Sequence, residues 1–380
     1  MKKLLIASAV SAALAAPATA LAQAAAKAAA VPTLDKVLEA SGITVNGYID
    51  AAYSYADRAS GSPTRVFDTE GNSFVLHQAA LQVAKQPKEG FGGLLNITAG
   101  KDAQVIHSVN GTAATDSSLF DVTQAYGQYA KGPLTVIAGK FVTLQGTEVI
   151  WSPTNTNFSR SILFGAIPFT HTGVRGTYAL SDTASFTVGL NNGWDQISDV
   201  NRGKTLELGT SLNPIKPLTI VGSYYSGQDT AVVGGAPAAA SPQGARNSLD
   251  LVATYIVSDP LSIGFEFLSV TQENFTSLAN GSNIKAKYNG EAVYITYMMT
   301  PKWRGVLRFE SFDDKDGFHF GTNNTTYKEV TATVSFLAHD NYELRGEVRR
   351  DNASNQVFTD TDGGMSKTLT TYAIQGIFKF

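Results

Sequence analysis

The order of short and long connections is the feature that most constrains the fold of this chain. Short segments of turn-forming residues, such as Gly132-Pro133 and Ser258-Asp259-Pro260, alternate with longer segments rich in Gly, Asn, Ser and Asp. Tight turns require those residue types. An up-and-down barrel has short turns at one end and long loops at the other. A soluble β-sandwich has no reason to sort its loops this way, so the order predicts a barrel.

The segments between these connections have the pattern of strands. From residue 43 onward, apolar and polar residues alternate with a period of two. The predicted strands lie at 43–57, 73–86, 91–101, 119–131, 133–142, 173–180, 184–192, 203–212, 217–226, 247–257, 261–272, 288–299, 303–313, 326–338, 341–351 and 367–380. The number is even, as in single-chain bacterial barrels. We therefore predict an all-β fold, a transmembrane antiparallel up-and-down β-barrel over residues 43–380.

The start of the chain has the composition of a targeting segment. Lys2 and Lys3 precede an apolar run at 4–16, and Ala20-Leu21-Ala22 supplies the small residues that a signal peptidase reads. We predict a signal peptide at 1–22, cleaved between Ala22 and Gln23. Residues 23–42 are predicted to form a periplasmic N-terminal extension. Its end, 33–40, is either a short helix or part of a disordered leader.

Composition excludes several other classes of protein. No stretch of the mature chain is apolar for 18 residues, which excludes helical membrane spans. Removal of the signal peptide leaves 27 of the 29 basic residues against 32 acidic ones, a formal charge of −5. This mildly acidic balance argues against nucleic acid as a partner. Cysteine is absent, so neither disulfides nor thiolate chemistry is expected.

The residues that carry chemistry in other proteins are scattered here. The five histidines have no pair at ligand spacing, so we expect neither a metal nor another cofactor. No Gly-x-Ser-x-Gly elbow is present to support a hydrolase. We expect a protein that is not an enzyme.

Charged residues follow the period of two in the last third of the chain. They fall on one face of each predicted strand, with Leu344, Gly346 and Val348 opposite. Arg or Lys facing lipid at the bilayer midplane costs about 2–4 kcal/mol, so these charges should line the lumen. A soluble sheet with one solvated face alternates in the same way. The predicted wall residues are Arg304, Arg308, Glu310, Glu343, Arg345, Glu347 and Arg349.

The longest connection, 143–172, contains more apolar residues than an exposed loop tolerates. We expect it to fold into the lumen against the inner wall. The candidate pore-constriction residues are Glu148, Arg160, His171 and Arg175, which would set the field and the diameter of the pore. Alternatively, Glu148 and Arg160 form a hydrogen-bonded pair that pins the loop to the wall. The two roles do not exclude each other.

The same segment carries a resemblance to a known family. The stretches Asn157-Phe158-Ser159-Arg160-Ser161 and Pro168-Phe169-Thr170-His171-Thr172-Gly173-Val174-Arg175 are similar to the OmpL-like β-barrel porins of Gram-negative bacteria. Gly47-Tyr48-Ile49-Asp50 and the terminal Phe380 also fit this family. A final Phe on an amphipathic strand resembles the signal by which the barrel-assembly machinery recognises outer-membrane barrels for insertion.

The resemblance implies a location and a function. We expect a porin in the outer membrane of a Gram-negative bacterium, surrounded by outer-membrane lipid and lipopolysaccharide. Small hydrophilic solutes would diffuse passively through its water-filled pore, narrowed by the loop at 143–172. A homotrimer is a further expectation from the resemblance.

Two other functions fit the same barrel. One is a substrate-specific channel with a binding site at the constriction. The other is a non-conducting, adhesin-type barrel that interacts with partners through its surface loops. An open polar lumen favours a channel, whereas a plugged apolar lumen favours the surface-interaction barrel.

Overall fold

The computed structural model describes residues 33–59, 61–108, 118–199, 201–229 and 244–380, and the backbone of strand segments at 232–233 and 236–237. The chain divides into a unit that ends at Ser41 and a second unit, Gly42–Phe380. The predicted signal peptide and its cleavage site lie outside the described residues. In the described part of the N-terminal extension, α1 (Leu34–Ser41) is a helix, the first of the two predicted alternatives.

The second unit is one closed antiparallel sheet. Each strand pairs with the next, and the last pairs with the first, so the predicted sixteen-stranded barrel is confirmed. The strands are β1 (Thr44–Ala56), β2 (Ser73–Lys85), β3 (Gly90–Ala99), β4 (Phe120–Lys131), β5 (Leu134–Val142), β6 (Thr170–Ser181), β7 (Ala184–Asn191), β8 (Thr205–Ile215), β9 (Leu218–Asp229), β10 (Gly244–Ser258), β11 (Leu261–Thr276), β12 (Asn283–Thr300), β13 (Trp303–Asp314), β14 (Thr325–His339), β15 (Tyr342–Ala353) and β16 (Thr368–Lys379).

The connections differ between the two ends of the barrel, as predicted. Seven short turns lie at one end, and eight longer connections lie at the other. The longer ones include α2 (Ala103–Ile106), a 3-10 turn (Ser152–Thr154), α3 (Ile162–Gly165) and two small hairpins, 232–233 with 236–237 and Phe358–Thr359 with Met365–Ser366. In outer-membrane barrels the short turns are periplasmic and the long loops extracellular.

The longest connection is shorter than predicted, because β6 begins at Thr170 and not after residue 172. Thr170 and His171 pair with Val142 and Phe141 at the end of β5, which completes the backbone hydrogen bonds of that strand. His171 is therefore a strand residue, and the connection, here called the third loop, spans 143–169.

The two faces of each strand differ in exposure. On β15, Glu343, Arg345 and Glu347 are buried, while Leu344 and Val348 are exposed. One face of every strand in a closed barrel turns towards the axis, and we call this buried face inward. Apart from its margins near the two ends of the barrel, the outward face is apolar, and closure leaves no unpaired backbone edge, as hydrocarbon surroundings require. Among the described residues, no helix has the length and apolarity needed to cross a membrane.

The C-terminal residue closes the sheet beside β1. The backbone N–H of Gly47 donates to the Phe380 carbonyl at 2.8 Å, and Phe380 N–H donates to the Gly47 carbonyl at 2.9 Å. A Cβ atom on Gly47 would lie 2.4 Å from the Phe380 ring and 2.9 Å from the Ala80 carbonyl oxygen, so a larger residue would displace the ring and press on β2. The insertion-signal role of Phe380 stays a prediction.

Gly173 provides a test of strand spacing in this barrel. A Cβ at this position would lie 2.2 Å from the Leu190 carbonyl oxygen on β7, so Gly173→Ala must push the two strands apart. We expect a loss of about 1–3 kcal/mol of stability. Thermal unfolding followed by circular dichroism and by heat-modifiable gel mobility measures it. Gly346→Ala is the matched control, since nothing lies within 4 Å of its added Cβ. Equal unfolding temperatures for the two variants would contradict the prediction.

Candidate functional site

All seven predicted wall charges lie on β13 and β15 with their side chains inward. Five of them, Arg304, Arg308, Glu343, Arg345 and Arg349, form ion pairs. Arg308 contacts Glu329 of β14 at 2.6 Å, and Arg345 contacts Glu343 at 2.7 Å. Arg304 also pairs with Glu343. Because Arg308 and Arg349 have no exposed surface, these pairs offset the cost of burying their charges.

Inward carboxylates bind the backbone of the third loop. Glu347 accepts the backbone N–H groups of Phe158 and Ser159 at 2.7 and 2.9 Å. Glu310 accepts those of Ile162 and Leu163 at 2.8 and 2.6 Å, at the start of α3. Each carboxylate thus satisfies two consecutive amides, a charge-assisted arrangement about twice as strong as a neutral one.

Inward guanidinium groups bind the carbonyls of the same loop. Arg345 donates to the Asn155 and Asn157 carbonyls at 2.6 and 3.1 Å. Arg308 donates to the Ser159 carbonyl at 2.8 Å, and Arg349 donates to the Arg160 carbonyl at 2.5 Å. Strands β13 and β15 therefore bind both the donors and the acceptors of the backbone at 155–163.

Two further carboxylates bind the beginning of the loop. Asp250 of β10 accepts the N–H of Gly146 at 3.1 Å, and Glu266 of β11 accepts that of Thr147 at 3.0 Å. With Glu310 and Glu347, they extend the line of loop contacts from β10 to β15.

Arg160 holds the loop to itself. Its guanidinium donates to the carbonyls of Val149, Ile150 and Phe158 at 3.0–3.3 Å and to the Ser152 hydroxyl at 3.2 Å. It lies over the ring of Phe67 at 5.3 Å, and its side chain is only 1% exposed. These contacts fit a residue that shapes the loop.

The predicted hydrogen-bonded pair of Glu148 and Arg160 is wrong. Glu148 pairs with Arg308 at 2.6 Å and accepts the N–H of Ser161 at 2.5 Å. The loop places Glu148 towards the wall, while Arg160 turns towards the loop's own carbonyls. Glu148 still pins the loop to the wall, but through a strand residue that no local spacing reveals.

The other two candidates, His171 and Arg175, lie on β6, seven strands from β13 along the sheet. Arg175 pairs with Glu207 of β8 at 2.5 Å and lies over the Phe141 ring at 4.2 Å. His171 is fully buried, with Nδ1 3.0 Å from the Gly193 carbonyl oxygen. The four candidates therefore form two separate groups.

The comparisons with known proteins agree with this architecture. A family model described as "Putative beta-barrel porin-2, OmpL-like" matches residues 42–380. The chain belongs to the OmpL-like β-barrel porin family. A search of curated protein sequences finds no match.

Solved outer-membrane structures share the fold of this OmpL-like porin. The outer membrane channel DcaP of Acinetobacter baumannii superposes with a TM-score of 0.62 at 13% identity, covering 89% of this chain and 97% of that one. An anion-selective porin from Comamonas acidovorans gives 0.60 at 10% identity, covering 89% and 99%. OmpT of Vibrio cholerae in a trimer form gives 0.59 at 10%, also covering 89% and 99%. At these identities the likeness shows the fold alone.

Several residues of the loop-binding wall were not predicted from the sequence of this porin. Glu329, Asp250 and Glu266 lie on inward faces, and the period-two pattern of their strands could have identified them. Arg65 and Asp68 belong to the connection between β1 and β2, where no periodicity exists. Arg65 contacts Asp68 at 2.6 Å and Asp351 of β15 at 2.7 Å. Burial opposes ionisation of Asp68, but Arg65 and Arg349 hold the pKa of its carboxyl below the usual range.

The end of the third loop is bound by a residue of the next long connection. Asp195 accepts the N–H groups of Phe169 and Thr170 at 2.9 and 2.8 Å. Burial raises the pKa of Asp195 from its ordinary 3.8 to about 6, although these two N–H groups lower it. The pKa of Asp195 is higher in the folded protein than in the unfolded chain, so the protonated carboxyl favours the folded state. Its contribution to the free energy of unfolding is full below pH 3.8 and is lost as the pH rises through about 6.

We expect Asp195→Asn to remove this pH dependence. Asparagine keeps an acceptor oxygen, tolerates the backbone φ of 51° and does not ionise. The variant and the unmodified porin should unfold at similar temperatures near pH ~4, and the variant at a higher temperature near pH ~7.5. Thermal unfolding at both pH values measures the difference. Asp182→Asn in an exposed turn is the control, and equal pH profiles for all three proteins would contradict the assignment.

Proposed function

We propose that this barrel is a water-filled channel for passive diffusion of small hydrophilic solutes, narrowed by the third loop inside the lumen. The observation that carries the proposal is the set of hydrogen bonds by which inward charges of β10 to β15 bind the loop backbone at 146–163. A loop held on one side of a sixteen-stranded barrel reduces the cross-section without filling it.

The solute path would follow the opposite wall. The inward faces of β4 to β8 carry partly exposed polar side chains, including Tyr126, Thr177 and Ser211. Charges on this wall are paired, as in Arg175 with Glu207 and Lys140 with Asp121. Hydroxyl and amide groups replace part of a solute's hydration shell, so this path suits small polar molecules.

The proposal includes how the barrel reaches the outer membrane and what surrounds it there. The family and the similarity to outer-membrane channels support export by the signal peptide at 1–22 and residence in lipid and lipopolysaccharide. Insertion would use Phe380 and the barrel-assembly machinery. The trimer form of the Vibrio cholerae protein supports a homotrimer for this chain.

A second candidate is a non-conducting barrel that acts through its loops. The observation in its favour is that protein atoms cover six of the seven wall charges, whose exposed fractions are 7% or less. Inward side chains are also covered by protein in barrels whose lumen is plugged by a loop.

Single-channel recording in a planar bilayer distinguishes the two candidates. The mature protein, with its fold verified by heat-modifiable mobility, should give reproducible conductance steps in symmetric salt. Silence from folded protein would reject the channel and favour the surface-interaction barrel.

Loss of the hydrogen bonds between the third loop and the carboxylates of β13 and β15 should widen the proposed channel. In Glu310→Gln/Glu347→Gln each carboxylate that accepts two amides loses its charge, and hydrogen bonds to charged groups contribute about 1.5–3 kcal/mol. We expect larger and noisier conductance steps because the loop leaves the wall. Glu291→Gln, on the exposed outward face of β12, is the matched control. Steps equal to those of the control would show that the loop does not limit the current.

Reversal potentials in asymmetric salt should distinguish the roles of Arg160 and Arg175, the two arginines of the predicted constriction. Arg175→Gln leaves Glu207 without its cation beside the proposed path, which should shift selectivity towards cations. Arg160→Gln should leave the reversal potential unchanged and alter only the step size, because Arg160 bonds within the loop. A shift for Arg160→Gln with none for Arg175→Gln would reverse this assignment.

A further inference from the structure

The outward face of the barrel changes character near the long-loop end of β13 to β15. On β13 and β14 the outward residues run from apolar Leu307, Phe309 and Val330 to polar Ser311 and Lys328. On β15 the apolar run ends at Val348, and Arg350 follows. Both cations are exposed and point away from the lumen.

Arg350 lies level with the edge of the apolar band. In the sheet register it pairs with Val330 on β14 and Thr370 on β16, and Val330 pairs in turn with Phe309. Its Nη1 donates to the Thr370 hydroxyl at 3.4 Å. In the described part of the chain, no carboxylate lies within ion-pair distance of Arg350 or Lys328. A guanidinium beside hydrocarbon needs an anion, and among the described residues no carboxylate forms an ion pair with Arg350. The outward carboxylate of Asp313 on β13 is diagonal to Lys328 and lies two strands from Arg350.

Lys328 is the diagonal neighbour of Arg350 on the same face. It pairs with Asn352, two residues beyond Arg350, which puts the two cationic side chains about 7–8 Å apart at their bases. Both side chains are long enough to reach one anion between them. The guanidinium fork matches the geometry of a phosphate, and the Lys ammonium adds a point charge.

On β2, β4 and β7 the outward face is apolar up to the long-loop end, where Phe74, Phe120 and Leu190 are exposed. Outward lysines recur at this end on β12, where Lys285 and Lys287 are exposed. Lys328 and Arg350 differ from Lys285, which lies 3.7 Å from the carboxylate of Glu273.

We propose that Lys328 and Arg350 bind a phosphate group of lipid A in the outer leaflet of the membrane. The long-loop end of such barrels is extracellular, where the lipid is lipopolysaccharide. Lipid A carries its phosphates on the glucosamine disaccharide that also bears the acyl chains, at the border of the hydrocarbon, the level at which Arg350 meets the apolar band. The site faces lipid, so it is independent of whether the barrel conducts.

Binding of defined lipids to the detergent-solubilised mature protein tests the site. Diphosphoryl lipid A, phosphatidylglycerol and sodium phosphate are titrated separately, with native mass spectrometry as the readout. In Lys328→Gln/Arg350→Gln we expect lipid A binding to weaken about 30-fold, from the loss of two cations near an anionic surface. Arg350→Lys should give an intermediate loss, because it keeps the charge without the fork.

Two matched controls remove other exposed cations. Lys285→Gln acts at the same end but on a lysine already 3.7 Å from Glu273. Lys85→Gln/Lys131→Gln acts on outward lysines at the short-turn end. Both should bind lipid A within about twofold of the unmodified protein. Unchanged affinity in the double variant would overturn the site. Phosphatidylglycerol or free phosphate binding as tightly through the same two residues would overturn its assignment to lipid A.

Discussion

The need to pair every backbone amide underlies the whole structure. A wall in contact with hydrocarbon has no water to satisfy its N–H and C=O groups, so the sheet must close. Here β1 pairs with both β2 and β16, and the terminal carbonyl and amide of Phe380 bond to Gly47. Closure in turn separates the side chains into two sets, one facing lipid and one facing the axis.

The inward set then determines what the third loop can do. The backbone of the third loop also needs partners, and β13 and β15 provide them as carboxylates and guanidinium groups. Glu310 and Glu347 satisfy amides, while Arg308 and Arg345 satisfy carbonyls. The charges that the sequence predicted for the lumen wall thus hold the loop. In the proposed channel these charges would have a structural role and a channel role together, because a loop fixed to one wall would define the width left beside the other.

The candidate site divides into a part that periodicity reveals and a part that it does not. Strand alternation identified Arg308, Glu310, Arg345 and Glu347, because a period of two assigns each residue to a face. It did not identify their partners, since Glu148 reaches Arg308 across 160 positions of sequence. For the same reason the expected pair of Glu148 and Arg160 was wrong, and Arg65 in an aperiodic loop was missed.

The sequence by itself determined the strand number, the alternation of turns and loops, and the polarity of each face. These properties depend on local backbone geometry and on the cost of placing charge in lipid, which act over a few residues at a time. Only the tertiary structure decided where β6 begins, which wall binds the third loop, and which charges pair. Those outcomes depend on atoms that closure of the barrel brings together from distant strands.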